Sequence, residues 1–428
     1  MIDKRVIEKV LTEQLEELDA LRNSSLCPRR EESQVDFDSG LAQVVIGVRR
    51  SGKSILCHNV LMKLEEKFAY ADFDDERFRD MKSDDLDNVL EVLYKINGNF
   101  NVLLLDEIQN VDGWHLFVNR LLRKKMRIMI TGSNAKLLSS ELATFLTGRH
   151  EPIELYPFSF KEFCLYKKID TGKLTTLAEG LRRAAFDEYL NQGGFPELMK
   201  VKNSSKYIGT LVDDILKRDI ENRYKIRYKL AFENIAHHLL NTAPANIDFT
   251  ELTKIVGLKS VHTTENYVKY LREAYLIRLL QKYSTKSKQR ICDSKVYPVD
   301  VALMSERKGA LAGENFGWRL ETLVYIELLR RNTPLERDIF YYKKRPKTEE
   351  CDFLVCKKNK VLQAIQVSFD ISENKTYRRE TGGLIAAARG TGCTDLMLIT
   401  DHEHADIEEQ GFKIAIRPAY EWMLEEQV

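Results

Sequence analysis

Apolar and polar positions alternate along the chain in two rhythms. Residues 3–23 set Val6, Val10, Leu15, Leu18 and Leu21 among mixed charges, a period that predicts an amphipathic N-terminal helix. Residues 27–40 are polar and read as a loop. Short continuous apolar runs then mark strands buried on both faces: 44–46, 68–73, 101–107 and 127–134. Helix-compatible segments at 55–64 and 114–125 separate them. A helix over 135–147 stops at Gly148-Arg149 before a strand at 153–155. Strands alternating with helices predict an α/β fold around a parallel sheet. The rhythm then changes. Helices are expected at 232–240, from Asp248 onward and at 260–271, followed by a strand at 274–277. The C-terminal part reads as a helix at 316–331 and strands at 339–342, 351–356 and 361–368.

The first strand runs into Gly47-Val48-Arg49-Arg50-Ser51-Gly52-Lys53-Ser54, which fits G-x-x-x-x-G-K-[ST]. The two glycines let the backbone curl so that successive N–H groups point inward at phosphate oxygens. The helix that begins there, with Ile55 in its first turn, adds its positive end on the same side. Lys53 is placed to reach the β- and γ-phosphates and Ser54 to take one position on Mg²⁺. Strand and helix flanks make a chance match a poor explanation, and a nucleoside triphosphate, ATP, is the expected ligand.

The run 102–105 ends in Asp106-Glu107, so a buried strand delivers two acids at its carboxyl end, where parallel sheets bind ligands. Asp106 is expected to hold the metal and Glu107 to polarise the attacking water as general base. Ser133 and Asn134 end the next strand, in position to touch the γ-phosphate or that water. The acidic turn Asp74-Asp75-Glu76 is more simply a solvated one.

Composition narrows the partners. With 66 basic and 65 acidic residues the net charge is +1, so any basic surface is local. One candidate is the three-helix segment at 230–300, which reads as a winged helix. Its wing, 282–295, carries Lys282, Lys286, Lys288, Arg290 and Lys295 beside a helix with Thr263, Thr264, Asn266 and Lys269, a set suited to phosphates along double-stranded DNA. A protein-contact role for the same module stays open. The seven cysteines show no C-x-x-C pairing, and Cys351 and Cys356 have the wrong spacing for a zinc knuckle. No signal-peptide core and no run of ~18 apolar residues is present, so a cytoplasmic protein without membrane contact is expected.

Gly47–Ser54, Leu103–Glu107, Ile130–Asn134, Thr147-Gly148-Arg149 and Leu155-Tyr156-Pro157-Phe158-Ser159-Phe160 together resemble one family: prokaryotic AAA-like ATPases with a C-terminal domain of unknown function related to PD-(D/E)XK nucleases. Gly193-Gly194-Phe195-Pro196 and the segment 215–224 belong to the same resemblance. It implies that Ser133 or Asn134 acts as sensor one. Arg149 would then present its charge to a neighbouring subunit's γ-phosphate in a homo-oligomer, and Arg218 or Arg223 is a candidate second sensor. In the nuclease-type core it maps Glu321 and Asp352 onto the metal-binding acids. The expected E-x-K element reads Gln366-Val367-Ser368, an amide and a hydroxyl in place of a carboxylate and a cation, so the domain is expected to have lost cleavage. Lys343, Lys344 and Lys375 are the candidates to replace the missing cation.

The resulting expectation is an AAA-like P-loop ATPase domain (1–165), a helical lid (166–230), a winged helix (231–305) and a restriction-endonuclease-like α/β domain (306–428). Its activity would be Mg²⁺-dependent ATP hydrolysis coupled to DNA or a partner. The alternatives are a signalling NTPase acting on a protein and an ATP-gated nuclease.

Overall fold

A computed structural model describes residues 2–22, 26–132, 146, 148–284, 294–305, 314–344 and 349–425. The chain forms two compact units, Met1–Leu155 and Tyr156–Val428.

In the first unit, helix α1 (Lys4–Arg22) precedes β1 (Ala42–Ile46), α2 (Lys53–Met62), β2 (Phe68–Asp72), α3 (Leu86–Asn97), β3 (Val102–Asp106), α4 (Trp114–Arg123), β4 (Arg127–Gly132) and β5 (His150–Glu154). The strands form one sheet in the order β2-β3-β4-β1-β5, parallel throughout. β1 and β3 are buried at every position, which is why they read as unbroken apolar runs rather than alternating ones. Leu56, Cys57 and Leu61 of α2 pack on Val45, Leu104 and Met129 of the sheet. Helix α1 buries Ile7, Val10, Leu11, Gln14 and Leu18. Val6, expected on the apolar face, is exposed at its margin, and Gln14 turns inward to bond both backbone groups of Asp72. The polar loop of 27–40 holds two short 3-10 turns, Arg30–Gln34 and Phe37–Ser39.

The second unit begins with α5 (Phe160–Tyr166), α6 (Thr176–Gln192), α7 (Ser204–Asp214) and a π-helix, Ile215–Glu221. Then follow α8 (Lys229–Thr242), β6 (Ala245–Asn246), α9 (Phe249–Ile255), α10 (Val261–Glu273), β7 (Ile277–Lys282) and β8 (Ser294–Pro298). The last stretch is α11 (Phe316–Asn332), β9 (Asp338–Lys343), β10 (Glu350–Lys357), β11 (Lys360–Val367), α12 (Asn374–Thr391), β12 (Leu396–Thr400), β13 (Ala405–Glu409), β14 (Phe412–Pro418) and α13 (Ala419–Leu424). Nine strands make one mixed sheet in the order β13-β14-β12-β11-β10-β9-β7-β8-β6. The link is β7, which pairs antiparallel with β8 and parallel with β9 through Gln281↔Phe340 and Lys282↔Tyr341. Backbone hydrogen bonding therefore runs from the 231–305 segment into the 306–428 segment, and the four expected segments group into two units.

The Gly193-Gly194 pair has a packing reason. The Gly194 carbonyl accepts a backbone hydrogen bond from the Phe158 N–H at 2.7 Å. A Cβ on Gly194 would stand 2.2 Å from the Phe158 carbonyl oxygen, and one on Gly193 would meet Asp300 Oδ1 at 2.0 Å. Asp300 is buried and accepts from the N–H groups of Gly194 (2.9 Å) and Ala302 (2.8 Å). Burial pushes its pKa up to about 6, against those N–H donors and the charges of Arg330 and Arg319. The motif is thus a close backbone approach locked by a carboxylate.

Candidate nucleotide and carboxylate sites

The phosphate loop joins β1 to α2 in the conformation its glycines allow. Gly47 has φ +150° and Gly52, the N-cap of α2, has φ +96°; Arg50 between them has φ +67°. A Cβ at Gly47 would lie 2.1 Å from the Leu155 carbonyl oxygen, so this position excludes every other residue. Lys53 is the first residue of α2 and is buried; its Nζ donates to the carbonyls of Gly47 (3.3 Å) and Val48 (3.2 Å). The ammonium thus folds back over the loop whose N–H groups form the expected cradle. Arg29, also buried, braces the loop from outside by donating Nη1 to the Ser51 carbonyl at 2.9 Å. Nothing in the sequence pattern singled out Arg29, because its partner is a main-chain oxygen 22 positions on.

Asp106 ends β3, next in the sheet to β4, which in turn neighbours β1. Its carboxylate accepts a hydrogen bond from the hydroxyl of Thr131 on β4, and Ser54 of α2 is near enough to help lower its pKa. The Thr131 hydroxyl also accepts from the Glu107 N–H at 3.2 Å. Thr131 therefore ties both acids together, and a hydroxyl inside an otherwise apolar buried strand was the available signal for it. Burial, then the charge of Glu107, raises the pKa of Asp106, opposed by Thr131, Ser54 and Lys53. Asp72 pairs in register with Asp106 on the adjoining strand, and burial and Asp106 raise its pKa in turn. Glu107 sits at φ +50°, where β3 gives way to a 3-10 turn, with the Gln109 amide donating to its Oε2. Lys53, Ser54, Asp106 and Glu107 thus converge at the carboxyl ends of neighbouring parallel strands. Ser133 and Asn134 lie outside the described residues, as do the residues expected to form the 135–147 helix apart from Leu146.

Arg149 lies at the other end of the sheet. Its carbonyl accepts from the N–H of Ala42, the first residue of β1, whereas the phosphate loop follows the last. Five strand residues at roughly 3.3 Å each separate the two ends. Exposed Arg149 shares a pocket of about 460 Å³ with Arg120, Arg123, Asn119 and Asp87. Arg218 forms an exposed (i, i+4) pair with Asp214 at 3.3 Å, and Arg223 lies over the Tyr224 ring.

The second unit carries the other acidic cluster. Glu321 of α11 and Asp352 of β10 do come together, and Glu350 joins them. Between the three stands Lys295 of β8, whose Nζ is 2.6 Å from Glu350, 3.5 Å from Glu321 and 3.6 Å from Asp352. Two expectations are corrected here. Lys295 is not a wing cation, since it is 7% exposed and bonded inward. The cation that stands among these acids comes from β8 and is none of Lys343, Lys344 and Lys375, although Lys343 does pair with Glu350 at 2.8 Å. Gln366 of β11 commits its amide on both sides: Oε1 accepts from the Asp352 N–H (3.1 Å) and Nε2 donates to Glu380 (2.6 Å). Lys286, Lys288 and Arg290 lie outside the described residues. Among the described residues no group of three or more His, Cys, Asp or Glu is arranged to hold a metal ion, and no helix is long and apolar enough to cross a membrane.

Residues 40–164 match the model of an AAA domain, and residues 183–312 match a domain of unknown function (DUF8612). The chain is 29% identical over 403 residues to an uncharacterized protein of Haemophilus influenzae, covering 91% of this chain and 95% of that one. It is also similar to the solved Walker-type ATPase PABY2304 of Pyrococcus abyssi, at 14% identity and a TM-score of 0.43 over 72% of this chain and 95% of that one. With the uncharacterized protein MJ1544 of Methanocaldococcus jannaschii it shares 31% identity over 447 residues, 99% of this chain and 96% of the other. The chain is a member of the MJ1544 family, with an AAA domain of the P-loop ATPase type in its N-terminal unit.

Proposed function

We propose that the chain binds and hydrolyses ATP with Mg²⁺ and uses the cycle to change its hold on double-stranded DNA. The observation that carries the first half is the convergence of Lys53, Ser54, Asp106 and Glu107 beside a loop whose Gly47 admits no side chain. The donor set at Ser54 and Asp106 is hard oxygen, a hydroxyl and a carboxylate, which fits Mg²⁺ rather than a softer metal. When bound, Mg²⁺ supplies positive charge to the β- and γ-phosphate oxygens. The chain's own groups do the rest. Main-chain N–H groups from Gly47 to Ile55, including those of Val48, Arg49, Arg50, Ser51 and Gly52, take the phosphates. Lys53 leaves the Gly47 and Val48 carbonyls for the β- and γ-phosphates. Asp106, held by Thr131, keeps the metal side negative, and Glu107 takes the proton of the attacking water. Ser133 or Asn134 would contact the γ-phosphate. Arg149, at the far end of β1 from its own loop, is suited to a neighbour's nucleotide in a homo-oligomer.

The DNA half rests on helices α8, α9 and α10 followed by the β7–β8 hairpin, the order of a winged helix, with Lys286, Lys288 and Arg290 in the wing segment. Duplex DNA should raise ATP turnover, and alanine at these three cations should weaken binding and flatten its salt dependence. A protein with no duplex affinity at low salt sinks this half and promotes the signalling reading, in which the ATP-bound form captures a protein. An ATP-gated nuclease fares worst, since Gln366 is neutral and Lys295 stands among the acids.

A further inference from the structure

Three carboxylates from two elements converge on one buried point, and an ammonium already stands there. Tyr297, two positions beyond Lys295 on β8 and so on the same face of the strand, donates its hydroxyl to Glu321 at 2.6 Å. The Lys295 Nζ also lies 5.5 Å from the centre of the Tyr341 ring. The remaining acceptor positions are largely engaged. Asp352 Oδ2 accepts from the Val367 N–H (3.0 Å), Glu350 Oε2 from Lys343, and Glu380 is bonded by Gln366 and Arg379. A metal ion would need the same inward-facing oxygens that Lys295 holds, at about 2.0–2.6 Å.

We propose that Lys295 is the resident cation of this cluster: its ammonium, seated within 2.6–3.6 Å of Glu350, Glu321 and Asp352, takes the place of a divalent metal ion and keeps the second unit metal-free. A tethered ammonium cannot leave, so a positive charge stays among these acids whatever the Mg²⁺ concentration. Burial alone would strip the charge from Lys295, but Glu321, Asp352 and Glu350 overcome it and raise its pKa. One consequence follows: any contact this cluster makes with another molecule is metal-independent. The argument does not depend on the ATPase reading, because it uses only residues of the second unit.

The test is Mn²⁺ binding to the full, nucleotide-free chain, read by electron paramagnetic resonance of free Mn²⁺ and by thermal melting. The parental protein and Asp352→Asn should bind Mn²⁺ indistinguishably. Lys295→Met, which opens the cluster without a charge, should gain one Mn²⁺ per chain, and Lys295→Met with Asp352→Asn should lose it again. Lys295→Arg should gain none. Lys295→Met should melt lower than parent in EDTA and rise by about 5–10 °C with Mn²⁺ a hundredfold above its Kd, whereas the parent should not respond. A parental Mn²⁺ site that Asp352→Asn abolishes overturns the proposal. So does a Lys295→Met protein that neither binds Mn²⁺ nor is stabilised by it.

Discussion

Each unit sets one buried lysine near a group of acids, and the two lysines face their acids differently. Lys53 turns its ammonium to the carbonyls of Gly47 and Val48, while Asp106 is held by the Thr131 hydroxyl. Those carbonyl contacts are weak enough, at 3.2–3.3 Å, to be exchanged for phosphate oxygens. Lys295 instead reaches three carboxylates, which no incoming anion can outbid without stranding them. The first site is arranged to accept charge from outside and the second already holds its own cation. Having acids and a lysine in proximity is therefore no evidence of catalysis; where the ammonium points decides it.

The largest test of that difference removes each lysine in turn. Lys53→Ala should abolish nucleotide binding, because the β- and γ-phosphates lose their fixed point charge. Lys295→Met should leave ATP turnover at the parental level and cost about 3–5 kcal/mol of stability in the second unit, since carboxylates are left buried without their cation. Glu107→Gln should bind ATP and slow hydrolysis by about 10²–10⁴-fold, as an amide cannot accept the proton. Turnover at the parental rate in Glu107→Gln would show the base is another group.

A second test asks whether the first site is complete within one chain. Arg149→Ala should bind ATP normally and hydrolyse it about 10³-fold more slowly, the lower range for an arginine supplied to a phosphoryl transfer. Mixed with Glu107→Gln it should recover activity, because some interfaces then hold an intact Glu107 and an intact Arg149. Specific activity that stays constant on dilution to a monomer would remove the role of Arg149 in trans.

How much of this was legible in the sequence differs between the units for a physical reason. The parallel strands of the first unit are buried on both faces, so their apolar runs stood out, and the phosphate loop and Asp106-Glu107 sit at their ends as local motifs. Thr131 and Arg29 were missed because their contacts, to Asp106 and the Ser51 carbonyl, join distant positions through single hydrogen bonds. In the second unit the strands at 351–356 and 361–368 and the acids Glu321 and Asp352 were also readable. Lys295 was misread as a wing cation, since a lysine in a Lys-rich stretch gives no sign that β8 turns it inward. The pairing of β7 with β9 was equally hidden: a parallel contact spanning about sixty positions leaves no periodic trace.

A third test sharpens the comparison in the backbone. Gly194→Ala would push a methyl to 2.2 Å from the Phe158 carbonyl oxygen, which is main chain and cannot swing away. The expected loss is about 3 kcal/mol from the second unit, visible as a lowered melting transition. ATP binding by the first unit should persist. A variant that melts like the parent would mean that the Gly194–Phe158 approach is looser than drawn.

The smallest expected effect concerns the layer behind the phosphate helix. His58 of α2 is 3% exposed, packs edge-on against Tyr70 at 4.7 Å, and its Nδ1 has no hydrogen-bond partner among the described residues. Burial pulls its pKa down to about 4 from an ordinary value of 6.5. The unfolded chain therefore takes up a proton near pH 6.5 that the folded chain refuses until about pH 4. Stability from the neutral, buried ring is full above pH 6.5 and is lost as the pH falls towards 4, amounting to about 2 kcal/mol between pH 7 and pH 5. The raised carboxyls of Asp106 and Asp72 act the opposite way: acidification relieves the cost of burying their charge, so total stability alone cannot isolate the histidine. The difference between parent and His58→Gln does isolate it. Denaturant unfolding at pH 7, 6 and 5 should show the parent losing about 2 kcal/mol relative to the variant as the pH drops. A difference that stays constant over that range would mean that His58 is protonated, or reached by water, in the folded protein.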